Sequence, residues 1–195
     1  MPPIPPITRA LLIANVGIFF IERLLGVGLL DAFALWPLGD RFLPWQVVTY
    51  AFLHGSFEHL FFNMLGLWMF GSEIERVWGQ KRFMQFYAAS VLSAAAVQLV
   101  VTLFAASPYP TVGASGGLFG LLLAYAVMFP NRTVLLWFVV PMKARTLVIL
   151  FGGLELLLGV VGTRSGVAHF AHLGGLLGGW LMIRYWRGQA PFSRR

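Results

Sequence analysis

Charge is scarce in this chain of 195 residues. Its 14 Lys and Arg and 7 Asp and Glu make up 11% of it, against about 25% in a soluble domain. With 58% hydrophobic residues and a mean hydropathy of +0.79, so few charges could not cover the surface of a soluble globule. A disordered chain needs the opposite composition, low hydrophobicity and high charge. Cysteine is absent, so there is no disulfide framework and no thiolate metal site, and the redox compartment cannot be read. No P-loop and no Gly-x-Gly-x-x-Gly occurs, and four His without a clustered carboxylate pair make no convincing zinc site, so neither metal nor cofactor is expected. The first residues, 1–6, lack the basic region of a signal peptide, and no small-residue cleavage site closes the first apolar run.

What remains is a polytopic membrane protein, all-α, with room for six spans of about 20 residues and short loops. The longest charge-free stretch, 83–131, is broken by Ser107-Pro108-Tyr109-Pro110, and two prolines so close do not sit inside an unsupported helix. It therefore divides into a span over 83–106 and another over 112–129. The apolar run 133–142 is too short to cross and reads as an interfacial or re-entrant connection. Residues 146–162 and 167–183 are two more spans. Upstream, 10–30 spans with Glu22 and Arg23 toward one end, and 46–71 is the second candidate. The connection 31–45 carries Trp36, Pro37, Pro44 and Trp45, which suits a loop at the membrane interface. No repeat of fixed period and no second domain is visible, so 1–195 reads as one membrane domain.

Six crossings put both ends on one side. Eleven basic residues then share that side: Arg9, Arg76, Lys81, Arg82, Arg132, Lys143, Arg145, Arg184, Arg187, Arg194 and Arg195. Only Arg23, Arg41 and Arg164 fall on the other. This split orients the short N-terminal segment 1–8 and the basic tail 184–195 to the cytoplasm of a cell (inner) membrane. It also accounts for a net charge of +7 without any nucleic acid, and the tail would meet anionic lipids of the bilayer.

Polar groups inside spans are costly, which marks His59, Asn63, Ser115 and His172 as functional candidates. Spans two, four and six all enter from the external side. Ser56 can cap span two, placing His59 in its first turn and Asn63 one turn deeper on the same face. Ser115 opens span four, and His172 lies about a turn and a half inside span six. These groups share a depth below the external surface. Gly113-Ala114-Ser115-Gly116-Gly117 with Gly120, and Gly175 and Gly179 on the face of His172, would let the helices approach closely. A serine and a histidine brought together are the minimum for an activated nucleophile. The amides opening span four, Asn63 and His59 are potential oxyanion donors. The same residues also admit a plainer reading, as interhelical hydrogen bonds and a packing seam.

His54-Gly55-Ser56-Phe57-Glu58-His59-Leu60-Phe61-Phe62-Asn63, Gly113-Ala114-Ser115-Gly116, and Ala171-His172-Leu173-Gly174-Gly175 with Gly179 resemble the signature of the rhomboid family of intramembrane serine proteases, in family order over nearly the whole chain. The resemblance implies a six-helix bundle with a Ser–His dyad and no Asp, which cleaves transmembrane substrates near the membrane boundary. Ser115 matches the nucleophile and His172 the base. His59 and Asn63 match the oxyanion-stabilising side chains, helped by the Ser115 amide, and Gly113 belongs to the nucleophile motif. Phe119 stands where the family commonly has an aromatic packed on the base. Gly175 and Gly179 are at the family's spacing from His172, not from His169, so His169 is expected nearer the surface, bonded to a loop. Gln46 follows Trp45 where many members have Arg, which puts in doubt any loop anchoring through that side chain. Gly71, Glu75, Gly79 and His54 read as structural. Glu58 is expected to face water, and Glu155 to be paired or water-solvated, without a catalytic role.

On this reading the substrates are transmembrane proteins whose helix unwinds near the external boundary, which favours helix-breaking residues there. They would enter between spans two and five. Ser115 would form an acyl-enzyme and His172, neutral near neutral pH, would activate water, so activity should fall in acid. Two rival classes are a non-catalytic rhomboid-like protein that binds membrane clients, and a proton-coupled transporter using His59, His172 and Glu155. The first should lack the serine or the histidine; the second should show broken helices at the midplane and an internal repeat.

Overall fold

The computed structural model describes residues 2–25, 27–105, 109–136, 139–161 and 168–189. Ser107 and Pro108 of the proline-containing turn, the 162–167 connection with Arg164, and the tail from 190 lie outside the described residues. The chain is mostly helical: α1 (Pro6–Leu25), α2 (Val27–Phe33), α3 (Gln46–Thr49) with a 3₁₀ turn over Tyr50–Phe52, α4 (Phe57–Gly66), α5 (Ser72–Ala105), α6 (Ser115–Met128), α7 (Ala144–Val161) and α8 (His169–Trp186). A π-type turn, Leu67–Gly71, joins α4 to α5. The stretches Phe57–Phe104 and Ala144–Val161 are long and apolar enough to cross a membrane, and Ser115–Met128 is apolar but shorter.

Several boundaries differ from the sequence reading. The second span does not start at Gln46. Residues 46–52 form a separate short helix, and the helix proper starts at Phe57, where Ser56 Oγ accepts from the His59 amide at 3.1 Å. Nor does that helix end at Gly71. The charged residues after it continue it to Trp78, and Gly79 (φ 76°, ψ 166°) then breaks α5 into two arms; positive φ is available to glycine at little cost. The connection 133–142 is an antiparallel hairpin, β1 (Thr133–Leu136) on β2 (Val140–Lys143), with Val134 opposite Met142. A two-stranded hairpin pairs the backbone groups between its strands and leaves those on its outer edges open, which suits an interfacial connection and not a lipid-exposed crossing.

α5, α6 and α8 pack with almost no side chain between them. A Cβ on Gly175 of α8 would stand 1.9 Å from the Gly116 carbonyl oxygen of α6, and Cβ atoms on Gly174 and Gly178 would stand 2.8 and 2.5 Å from atoms of Ala94 and Ser93 on α5. Below this seam Phe83, Phe86 and Leu121 are fully buried. α1 is fixed at its start by Glu75, whose carboxylate accepts from the Ile7 amide (2.9 Å), the Thr8 amide (2.7 Å) and Thr8 Oγ (2.7 Å). The free amides of a first helical turn favour such an anion. Outward positions are apolar: Leu24 is 84% exposed, Phe104 86%, Ile149 70%.

Gly175→Ala should therefore lower stability in detergent by about 1–3 kcal/mol or more, the range for overpacking. Gly153→Ala, on α7 where a Cβ meets nothing within 4 Å, should be neutral or slightly stabilising. Thermal unfolding of the two variants checks this, and equal behaviour would remove the seam from the account.

Candidate active site

Ser115 is the first residue of α6. The backbone leading to it is held from outside. Leu35 and Thr111 exchange backbone hydrogen bonds at 3.0 and 2.9 Å, and the Gly113 amide donates to the Tyr50 carbonyl at 2.9 Å. Tyr50 is buried, and its hydroxyl donates to the Val91 carbonyl at 2.8 Å. Gly113 has φ 126°, and a Cβ there would stand 2.7 Å from the His59 ring. Both facts require glycine. Tyr50 escaped the sequence reading: a lone tyrosine between Trp45 and His54 carries no local signal of its reach to α5.

His172 lies one turn into α8 rather than a turn and a half, because the helix starts at His169. Its Nε2 is 2.8 Å from Ser115 Oγ. Phe119, one turn after Ser115, lies flat on the imidazole, with centroids 4.4 Å apart and planes within 4°. Stacking of this kind leaves the ring few orientations.

The hydroxyl and the imidazole face a cavity of about 500 Å³, which His59, Asn63, Gly113 and Ser56 also line. One Asn63 amide proton goes to the His59 carbonyl at 2.8 Å. The amide group has a second. Gly175 and Gly179 lie in the seam between α8 and α6, where a Cβ on Gly179 would stand 3.2 Å from Gly120 Cα. The structure thus brings Ser115, His172, His59, Asn63 and Gly113 to one cavity, with Phe119 stacked on His172 and Gly175 and Gly179 in the adjoining seam of α6 and α8.

Two expectations are corrected here. His169 is not a surface residue: it is 8% exposed, and its Nδ1 lies 2.6 Å from Glu155 Oε2 of α7. The other oxygen of Glu155 is 3.0 Å from His172 Nδ1. Gln46 does anchor the loop. Fully buried, its side-chain oxygen accepts from the Trp36 and Leu43 amides (3.3 and 3.1 Å), and its nitrogen donates to the Ala32 and Arg41 carbonyls (3.4 and 3.1 Å). A neutral amide meets both donors and acceptors, which a guanidinium cannot. Glu58 is exposed. Among the described residues no group of three His, Cys, Asp or Glu could hold a metal ion.

His54, in the 53–56 connection outside the spans, is 3% exposed. Its ring meets the His59 ring edge-on, with centroids 5.0 Å apart. Neither ring nitrogen has a hydrogen bond of regular geometry. Burial, then the neighbouring His59, pushes its pKa down from 6.5 to about 4, against a weak opposing pull from the Phe52 backbone.

A family model, the rhomboid domain, matches residues 41–188. The rhomboid protease GluP of Bacillus subtilis (strain 168) is 34% identical over 137 residues, covering 70% of this chain and 25% of its own length. Rhomboid protein 1, mitochondrial, of Saccharomyces cerevisiae is 33% identical over 146 residues, covering 71% of this chain and 42% of its own length. The putative rhomboid protease YdcA of Bacillus subtilis is 31% identical over 140 residues, covering 71% of this chain and 65% of its own length. The chain therefore spans from a quarter to just under two thirds of the length of these relatives.

His54 gives a pH dependence of stability. Above pH 6.5 the ring is neutral in both the folded and the unfolded chain. Between about 6.5 and about 4 only the unfolded chain takes up the proton, so stability falls as the pH drops through that window, by up to about 3 kcal/mol, and levels off below it. Unfolding in detergent as a function of pH should show this slope, and His54→Phe should flatten it. An unaltered slope in the variant would assign the effect to another group.

Proposed function

The chain belongs to the rhomboid family, and from that premise we propose that it is a serine-type endopeptidase. It hydrolyses a peptide bond in or next to a transmembrane segment of membrane-protein substrates. The observation that carries this reading is the contact of 2.8 Å between Ser115 Oγ and His172 Nε2, beside a cavity that can admit water and a peptide.

His172 Nε2 takes the hydroxyl proton as Ser115 Oγ bonds to the scissile carbonyl carbon, and the carbonyl electrons move onto oxygen. The resulting oxyanion is met by the Ser115 backbone amide at the N-terminus of α6, the His59 ring and the second Asn63 amide proton. The adduct collapses as the C–N bond breaks, and the proton on Nε2 goes to the leaving amine. Water then gives a proton to the same nitrogen and bonds to the acyl carbon; the C–Oγ bond breaks, Ser115 Oγ takes that proton back from Nε2, and the carboxylate product leaves. No step calls for a metal or cofactor.

A peptide bond inside a helix is hydrogen-bonded and has to be unwound before it can be attacked. An apolar groove between α4 and α7, lined by Phe62, Met69, Leu118, Phe119, Leu147 and Phe151, supports lateral entry of the substrate between these two helices.

The topology is six crossings of a cell membrane by one domain over 1–195. Residues 1–8 and 184–195 are cytoplasmic, and the site opens to the external side. The eleven-to-three division of basic residues supports this orientation. So does the position of His59, Ser115 and His172 near the N-terminal ends of α4, α6 and α8.

In liposomes, wild type should cleave a transmembrane reporter, and Ser115→Ala should abolish cleavage. His172→Ala should lower it by about a thousandfold or more. A fluorophosphonate should label Ser115 alone. Proteolysis surviving Ser115→Ala would remove the assigned nucleophile. Gly113→Ala, which drives a methyl into the His59 ring, should lower kcat by about tenfold or more while labelling remains detectable.

A further inference from the structure

α7 is a helix that mostly faces away from the bundle. Only Ala144, Leu147 and Glu155 are buried on it, while Ile149, Leu156, Leu157 and Val160 are each more than half exposed. An acid on such a helix could turn toward its ends or toward water at little cost. Glu155 instead turns inward and divides its two oxygens between two imidazoles of α8, His169 Nδ1 at 2.6 Å and His172 Nδ1 at 3.0 Å. One imidazole would be enough to pair a structural carboxylate. The second is the ring whose other nitrogen meets Ser115.

His172 Nδ1 is buried and forms no regular hydrogen bond. The carboxylate oxygen Oε1 of Glu155 lies 3.0 Å from it, within ion-pair distance. A carboxylate beside Nδ1 favours the tautomer with the proton on that nitrogen, which leaves the lone pair of Nε2 toward the serine. It also favours the imidazolium formed when the hydroxyl proton moves to Nε2.

We propose that Glu155 is a positioning residue of the active site, the third member of a Ser115–His172–Glu155 array, and that it holds the base from α7. This rests on the protease reading above. The carboxylate remains ionised throughout: the serine proton stays on Nε2 and leaves with the amine. Because the carboxylate belongs to α7, the orientation of the base depends on how α7 sits against α8.

The test uses the full chain in proteoliposomes, with steady-state cleavage of a transmembrane reporter, the rate of fluorophosphonate labelling, and thermal unfolding. Glu155→Gln keeps the shape and removes the charge. It should lower kcat and the labelling rate together by about 100-fold, with KM within about twofold. Glu155→Asp, which restores the charge on a shorter arm, should recover about a third or more of the lost logarithm of kcat. His169→Gln should cost as much thermal stability as Glu155→Gln but lower kcat by less than about threefold.

If Glu155→Gln and His169→Gln lose stability alike while kcat and labelling stay at the wild-type level, Glu155 merely ties α7 to α8 and the proposal is overturned. If the Gln variant does not fold, the Asp variant decides. With intact stability, a labelling rate between those of wild type and His172→Ala supports the role, and a wild-type rate overturns it. Cleavage that survives Ser115→Ala would overturn the protease reading itself, a result distinct from a failure of Glu155 alone.

Discussion

The approach of α8 to α6 at Gly175 is the constraint on which the site depends. Lipid tails are as apolar as the side chains they touch, so no hydrophobic force drives two helices together inside a bilayer. Close backbone packing is one of the few attractions left. With a carbonyl oxygen only 1.9 Å from where a Cβ would be, the seam exists because neither helix has a side chain there. Ser115 is the residue before Gly116, and His172 stands one turn before Gly175. The distance between hydroxyl and imidazole is therefore set by the backbones and not by the reach of two side chains. α5 supplies the third wall with Ala94, Ser93 and Ser90, all small.

The seam fixes two helices but not the loop that leads into Ser115, and that loop is fixed by polar groups. Leu35 and Thr111 pair their backbones, Tyr50 holds the Gly113 amide and reaches α5 through its hydroxyl, and Gln46 satisfies four backbone groups of the segment around it. Where such a bond serves a buried group, as at the Trp36 amide and the Tyr50 hydroxyl, its loss would cost about 1–3 kcal/mol. The interfacial segment is thus a scaffold for the left-handed turn at Gly113. Through Gly113 it also sets where the His59 ring can lie.

The candidate site was largely legible in the sequence because polar residues in apolar spans have few cheap explanations. Ser115, His172, His59 and Asn63 stood out on cost, and Ser56 as a cap on side-chain chemistry. Element boundaries were less legible. The spans 46–71 and 83–106 leave the charged run 72–82 between them, yet it is the end of one helical arm and the start of the next, with Gly79 as the break. Residues 46–52 belong to a short helix of their own, since His54-Gly55 interrupts the pattern before Ser56 starts the next. His169, Gln46 and Tyr50 were misread or missed for a different reason. Their partners lie on other elements, and the depth at which two helices meet is not written in either helix alone.

The buried acids show how the same side chain comes to differ in consequence. Among the described residues Glu22, Glu75 and Glu155 are all less than a tenth exposed, and an ionised carboxylate in such surroundings needs strong partners. Glu75 finds backbone amides and a hydroxyl at the start of α1, and Glu22 accepts from the His54 amide at 3.3 Å. Their partners are backbone amides and a hydroxyl, none of which touches the serine. Glu155 has two imidazoles instead, and one of them touches the serine. Holding a base by a charge makes its preferred tautomer a property of the fold, where stacking on Phe119 alone would fix the plane of the ring and leave its proton free to sit on either nitrogen.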